Sequence, residues 1–454
     1  MGNRAMNDMP TQKKDWYLSN FEIFEKSLNG EASSHLHGIR RAAIARFAEV
    51  GFPTTRNEEW KYTDVSPIAS LSFKPVLTPH TDGLATGVLE RFTLGNPQWN
   101  RLVCVNGQYS RELSSIHQHP SGLVIASLAE AIRKYPDAVE KHLARHARFE
   151  GDGFTALSTA FMQDGAFVFI PDGVVFKEPI HLIFVSTSSE IEFVCQPRNL
   201  IIAGASCQAA IVESHVSLSD NVYFTNTVSE MVLGENTIIE YERFQDQSNR
   251  SFHVSTLHVQ QERNSHFTSN SFSFGGILVR NNITAVLDGE GGEATLNGLY
   301  LGTEKQHIDN HTTIDHTKPH CNSHELYKGI LHGTSRGVFN GKIVVRKDAQ
   351  KTDAKQTNKN LVLSDEASID TKPQLEIYAN DVKCTHGATV GQLDEEAIFY
   401  LRSRGVGLDK ARDILIYAFA SDVISRCKVE SLREQLHYLL HVRLERSRSI
   451  KVPS

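Results

Sequence analysis

Between about Gly153 and Val390 apolar residues recur at every second position, and no convincing amphipathic helix interrupts those roughly 230 residues. A period of two belongs to β-strands, whose successive side chains point to opposite faces. Short alternating pieces carry it: Ile239-Glu240-Tyr241-Glu242, Phe252-His253-Val254, Phe272-Ser273-Phe274 and Leu375-Glu376-Ile377-Tyr378. Turn signals separate the pieces, among them Ser219-Asp220-Asn221, Gly234-Glu235-Asn236, Gly275-Gly276 and Asp288-Gly289-Glu290-Gly291-Gly292. Parallel strands need crossover connections, and without helices a β-solenoid supplies them, each coil covering the one before. A sandwich or a barrel fits the alternation equally well, and no strict short repeat decides between them.

Helical periodicity flanks this body and divides the chain into a helical or mixed region 1–150, a β-body 151–390 and a helical region 391–454. Trp16, Leu18, Phe21, Phe24 and Leu28 recur at helical spacings, as do Ile39, Ala43, Phe47 and Val50 before the stop Gly51-Phe52-Pro53. Leu128 to Phe149 reads as helix broken once at Pro136, and Leu102 to Val105 as a strand entering a tight turn at Asn106-Gly107. Residues Met1 to Lys14 read as a flexible leader. At the other end Asp394 caps a helix with Glu395 and Glu396 in its first turn, and Gly405 stops it. A second helix places Ala411, Leu415, Ala418, Phe419 and Val423 on one face, and a third runs from about Ser431 through Leu432, Leu436, Leu439 and Leu440. Three such helices suit either a docking module or a cap over the end of the β-body.

Composition narrows the function. With 47 Lys+Arg against 53 Asp+Glu the net charge is -6, which argues against a nucleic-acid binder, since only Arg443 to Lys451 is locally basic. No run approaches the ~18 apolar residues of a membrane span, and Met1 to Trp16 lacks the apolar stretch of a secretory signal. The six cysteines stand at 104, 195, 207, 321, 384 and 427 with no CxxC pair, so neither a disulfide framework nor a structural zinc site is expected. The expectation is a soluble cytoplasmic protein with reduced thiols.

Catalytic signatures fall away on context. There is no GxxxxGK[ST], so no ATP site is expected in this chain. Gly333-Thr334-Ser335-Arg336-Gly337 matches GxSxG, but strand-like Val338 to Val345 follows where a nucleophile elbow needs a helix. His307, His311, His316, His320, Cys321, His324 and His332 form the densest ionisable cluster. Imidazole and thiolate suit zinc or iron, yet strand parity sets His307 and His311 on one face and His316, His320 and His324 on the other. His311 and His316 are carried forward as candidate metal ligands. In Cys384-Thr385-His386 the outer residues share one face of a strand, so thiol and imidazole can touch one metal or sulfur species. A buried Cys beside a hydrogen-bonded His is the plain alternative.

Longer words then become recognisable. Arg56-Asn57-Glu58-Glu59-Trp60-Lys61-Tyr62-Thr63-Asp64, the stretch from Lys351 through Asn360-Leu361-Val362-Leu363-Ser364 and Pro373-Gln374-Leu375-Glu376-Ile377, Asp381 to Gln392, and Phe399 to Gly405 resemble the SufB/SufD family of iron–sulfur cluster assembly scaffolds. The resemblance spans roughly residues 15 to 445. Gly387 after His386, Val390-Gly391-Gln392-Leu393 and the Trp60 signature resemble the SufD branch; the SufB branch carries a glutamate after that histidine.

The resemblance implies a mainly β fold, a right-handed parallel β-helix core between an N-terminal helical or mixed domain and a C-terminal helical domain. It implies a cytoplasmic, non-catalytic scaffold paired with SufB through the β-helix. Each C-terminal helical module would dock one SufC ATPase, giving a complex of one SufB, two SufC and one SufD. It implies a site at the SufB–SufD interface that takes up iron and a transient nascent cluster, with His386 as ligand and Cys384 as secondary thiolate. A reduced flavin on the complex and a homodimer of the chain alone are compatible with it; nucleic acid and membrane are not expected. The rival readings are a purely structural partner of SufB and SufC, and a β-helix enzyme acting on carbohydrate.

Overall fold

A computed structural model describes residues 9–28, 34–77, 84, 86–96, 98–119, 121–187 and 192–449. The chain passes through α1 (Met9–Ser27), α2 (His35–Val50), α3 (Ser66–Ala69), β1 (Lys74–Pro75), α4 (Thr86–Leu89), β2 (Arg101–Val105), β3 (Gln108–Tyr109) and β4 (Val124–Ser127). Helices α5 (Leu128–Lys134), α6 (Pro136–His142) and α7 (Gly153–Ala160) follow. The β-body begins with β5 (Ala166–Ile170), β6 (Ile180–Ser186), β7 (Phe193–Cys195), β8 (Arg198–Ala203), β9 (Gln208–Ser217), β10 (Tyr223–Leu233), β11 (Ile238–Asp246) and β12 (Phe252–Gln261). It continues as β13 (His266–Ser273), β14 (Leu278–Leu287), β15 (Glu293–Gly302), β16 (His307–His316) and β17 (Asn322–Leu331). It ends with β18 (Arg336–Val345), β19 (Asp353–Val362), β20 (Ser368–Ile377) and β21 (Lys383–Gly391), before α8 (Glu395–Ser403), α9 (Leu408–Ile424) and α10 (Glu430–Ser449).

From β8 onward consecutive strands alternate between two sheets, and each pairs in parallel with the strand two places later. The result is a parallel β-solenoid of about eight coils, which resolves the choice that periodicity leaves open. Its repeat lies in the backbone rather than in residue type. At one corner Ser206, Asn236, Asn264, Gly291, His320 and Lys351 all take φ between 53° and 74°. Each of these residues donates its N–H to a carbonyl of the next coil, at 2.7 to 3.3 Å. Five residue types share one conformation at these six positions, so no sequence repeat is visible.

The solenoid interior is half apolar and half polar. Leu182, Ile211, Met231, Leu257, Ile283, Leu296 and Ile314 belong to one continuous core. Beside it Glu213, Arg243, Ser255, Asn281 and Asn310 are also buried and interlinked; Arg243 donates to Ser255 at 2.8 Å, and Asn281 to Asn310 at 3.0 Å. Inward-pointing Tyr327 needs its in-register neighbour to be small. A Cβ on Gly298 would lie 2.2 Å from the Tyr327 ring.

Several flanking elements differ from the sequence reading. Met9–Ser27 is helical, so the expected leader shrinks to residues 1–8, which lie outside the described residues. The β-body holds one helix after all, α7, whose eight residues are all buried and so show no amphipathic stripe. Asp152 caps it, accepting from the N–H groups of Phe154 and Thr155. Helix α6 stops at His142, short of Phe149, because the following backbone wraps a carboxylate. Glu230 accepts N–H bonds from Ala144, His146 and Ala147 at 2.7 to 3.0 Å and also pairs with Arg198 at 2.6 Å, both side chains being wholly buried. Pro136 breaks the segment as expected, and Asn106 (φ 51°) and Gly107 (φ 84°) form the tight turn between β2 and β3. Among the described residues no helix is long and apolar enough to cross a membrane.

Two stability changes follow. Gly298→Ala, forcing a methyl against Tyr327, should cost about 1–3 kcal/mol and lower the urea midpoint at unchanged slope. Glu230→Gln should cost more, about 3–5 kcal/mol, because it leaves the Arg198 guanidinium buried without its counter-charge; equal midpoints for Glu230→Gln and the unsubstituted chain would show that the pair carries no weight.

Candidate functional site

The last coil has no further coil beyond it. Among the described residues β20 pairs with β18 and β21 with β19, and neither has a strand on its other side, so both present a free backbone edge. Pro373 sits within β20, where the missing N–H is tolerated because the strand lies at an edge. Ile377, Tyr378 and Val390 are 41%, 59% and 53% exposed here, whereas Val345 and Asn360, the counterparts of Ile377 and Val390 one coil earlier, are buried.

Cys384 and His386 both lie on this last strand, in register with the inward-facing Ala354 and Gln356 of β19. Cys384 is half-buried against Leu375, Val382, Ala354 and Ala379. Burial, reinforced by the carboxylate of Asp353, holds its thiol above the ordinary range, so it is a weaker thiolate than its neighbouring imidazole suggests. His386 is exposed. Below it a buried polar column continues inward: Gln356 donates to Glu325 at 2.7 Å, and burial pushes the Glu325 carboxyl up to about 7. The two sequence-derived residues are therefore brought together on the open end, one half sunk and one free.

The other candidate ligands are separated. His316 points into the solenoid, 2.9 Å from the Ser323 hydroxyl, and burial holds it down to about 4. His311 points outward, 3.1 Å from Asp309 and 3.6 Å from Glu59. His320 lies in a corner turn and His324 in the other sheet, which parity within a single strand does not show. Ser335 of the GxSxG match lies in the turn between β17 and β18, where it donates to the Gly302 carbonyl. Among the described residues no group of three His, Cys, Asp or Glu side chains converges on one point.

Two further surfaces adjoin the open end, and neither was legible as such in the sequence. The Trp60 signature forms a strap across the outer face of the first sheet. The Trp60 ring stacks on Arg280 of β14 at 4.2 Å, Thr63 lies 2.9 Å from His307 of β16, Glu59 meets Lys342 of β18 at 3.5 Å, and Glu58 pairs with Lys372 of β20. Asp309 anchors the middle: against the burial that would raise it, Arg280 and His311 hold its carboxyl below the ordinary range.

On the second sheet the C-terminal helices pack along the outer face, not over the end of the body. Lys328 of β17 reaches Asp422 at 2.7 Å and the Phe419 carbonyl at 3.0 Å, and Glu242 of β11 accepts the Lys428 N–H. Helix α8 is capped by Asp394 as expected, and it projects Phe399 and Tyr400, 74% and 58% exposed, beside the free edge.

Known proteins match this sequence over most of the chain. The family model "SUF system FeS cluster assembly, SufBD core domain" matches residues 184–419, and "SufBD protein N-terminal region" matches residues 11–182. An iron–sulfur cluster assembly SufBD family protein of Synechocystis is 34% identical, covering 92% of this chain and 93% of that protein. The iron–sulfur cluster assembly protein SufD of Escherichia coli is 31% identical over 92% of this chain and 93% of its own, and SufD of Bacillus subtilis 26% over 69% and 72%. With both halves of the sequence matched, the coil architecture in place and the Trp60 strap and Cys384–His386 strand where the family words fall, the chain belongs to the SufBD family.

Proposed function

We propose that this chain is a SufD-like scaffold subunit of an iron–sulfur cluster assembly complex, non-catalytic itself and working in the cytoplasm. The observation that carries the reading is the uncovered last coil, with apolar residues and a thiol–imidazole pair on a free strand edge. A bare edge is a template for another strand, and its natural occupant is the matching end of a SufB-type solenoid. The partner would satisfy the backbone groups of β20 and β21 and cover Val390.

Iron and the nascent cluster are cargo at that junction. Clusters are held mainly by thiolates, commonly four, with imidazole able to replace some of them. This chain offers one imidazole and one thiol at the edge, so the remaining ligands would come from the partner. His386 is the better donor, being exposed, and Cys384 the secondary one, its thiol held up by burial. A site divided between two chains also lets a change in their relative position release the product, and a pair of SufC-type ATPases docked on the helical modules would drive such a shift through differential affinity for the two arrangements. Phe399 and Tyr400 on α8 supply an apolar surface for one of them.

Size-exclusion chromatography with light scattering, on the chain mixed with its SufB-type and SufC-type neighbours, tests the assembly; one SufB, two SufC and one copy of this chain are expected. Val390→Asp should weaken that assembly at least tenfold while leaving the melting temperature of the isolated chain within a degree or so, because Val390 is already exposed. His386→Ala should leave the complex intact and lower the iron and acid-labile sulfide retained after anaerobic reconstitution. Full loading of the His386→Ala complex would leave only the purely structural role.

A further inference from the structure

Three imidazoles outside the open end are gathered where the N-terminal region meets the first sheet. The rings of His142 and His146 have centroids 5.8 Å apart, and His258 of β12 stacks beyond His146 at 5.9 Å. Between the first two, Nδ1 of His142 and Nε2 of His146 face each other at 3.5 Å. That is longer than the 2.7–3.2 Å of an ordinary hydrogen bond. It is close to the separation of about 3.3 Å between two nitrogen ligands on one tetrahedral ion with bonds of about 2.0–2.1 Å.

His142 and His146 are both half-buried, so the space between their facing nitrogens is open to solvent on one side and walled by protein on the other. The segment that carries His146 is fixed from beneath, since the Glu230 carboxylate binds the backbone N–H groups of Ala144, His146 and Ala147 and is itself locked to Arg198. A metal site needs such support to hold its ligand geometry. His258 and Ala147, the residue after His146, line a cleft of about 500 Å³ shared with Trp60 and Arg280.

We infer that His142 and His146 form a binding site for one divalent first-row transition-metal ion, with water completing the coordination and His258 bordering it on the cleft side. No third ligand-type side chain converges on the point among the described residues, so this is a two-imidazole site of moderate affinity, separate from the Cys384–His386 edge. The solvent-facing positions left on the ion suit a site that loads and releases metal rather than a structural one.

Cobalt(II) is the probe, because its visible absorption reports nitrogen ligation directly. Titration of the full chain, with His142→Gln/His146→Gln compared against the unsubstituted protein, should show the stoichiometry falling by one equivalent, with His386→Ala leaving that equivalent in place. Both variants keep the backbone N–H groups that bind Glu230, so thermal melting should stay near the unsubstituted value. Should the double variant fail to fold, anomalous scattering at the cobalt edge from soaked crystals of the unsubstituted chain decides: a peak between the two rings is expected. Unchanged stoichiometry in the double variant, or no anomalous peak between His142 and His146, would overturn the site.

Discussion

In a parallel solenoid the backbone N–H and C=O groups of each inner coil are satisfied by the coils before and after it, and the arrangement here depends on that relation at two levels. Along the strands the register advances by one coil at a time without a slip from Leu278 through His307 and Arg336 to Ser368. At the corner the same dependence is met by a left-handed residue that turns its N–H toward the next coil. A left-handed backbone costs most residues about 1–2 kcal/mol, and the corner repeats it coil after coil, each time with the N–H reaching a carbonyl of the next coil. The last coil has no successor. Its free edge follows from the geometry, and so does its availability as a docking edge.

The interior shows how far such a scaffold departs from a simple oil-filled tube. Glu213 sits wholly buried, and the opposing effects on it are large: burial would raise its carboxyl, yet His215, Arg243 and Tyr241 together hold it down to about 2. Removing any one partner leaves charge uncompensated in a low dielectric, so these groups stand or fall together. Nearer the open end the balance shifts. Glu325 has Gln356 for a partner and no cation, and burial then prevails, pushing it up to about 7. The buried carboxyl in line with His386 therefore lacks the counter-charge that Glu213 has.

How much of this was legible in the sequence depended on whether the signal was local. The strands, the Asn106-Gly107 turn, the Asp394 cap and the Cys384–His386 pairing are all consequences of neighbours within a few residues, and each is where period and turn chemistry put it. The solenoid repeat was not legible because Ser206, Asn236, Asn264, Gly291, His320 and Lys351 converge on one conformation from five residue types. Helix α7 escaped because complete burial erases the polar face that marks a surface helix. Among the histidines, parity within a strand separated His311 from His316, but only topology reveals that His324 belongs to the opposite sheet. The resemblance to the SufB/SufD family supplied what no local pattern could, and Trp60 shows why such words are long. Together with its neighbours it must reach four different strands of the first sheet.

That strap bears on how the open end could respond to events elsewhere. Glu58, Glu59, Trp60 and Thr63 together touch β14, β16, β18 and β20, so the N-terminal region is fastened to the terminal coil itself. On the other sheet α9 is fastened to β17 by the buried ammonium of Lys328, only two strands from β21. The C-terminal helices are thus tied to the second sheet two strands from Cys384 and His386, while the strap ties the N-terminal region to the first sheet as far as the terminal coil, so both flanking regions meet the solenoid near its free edge.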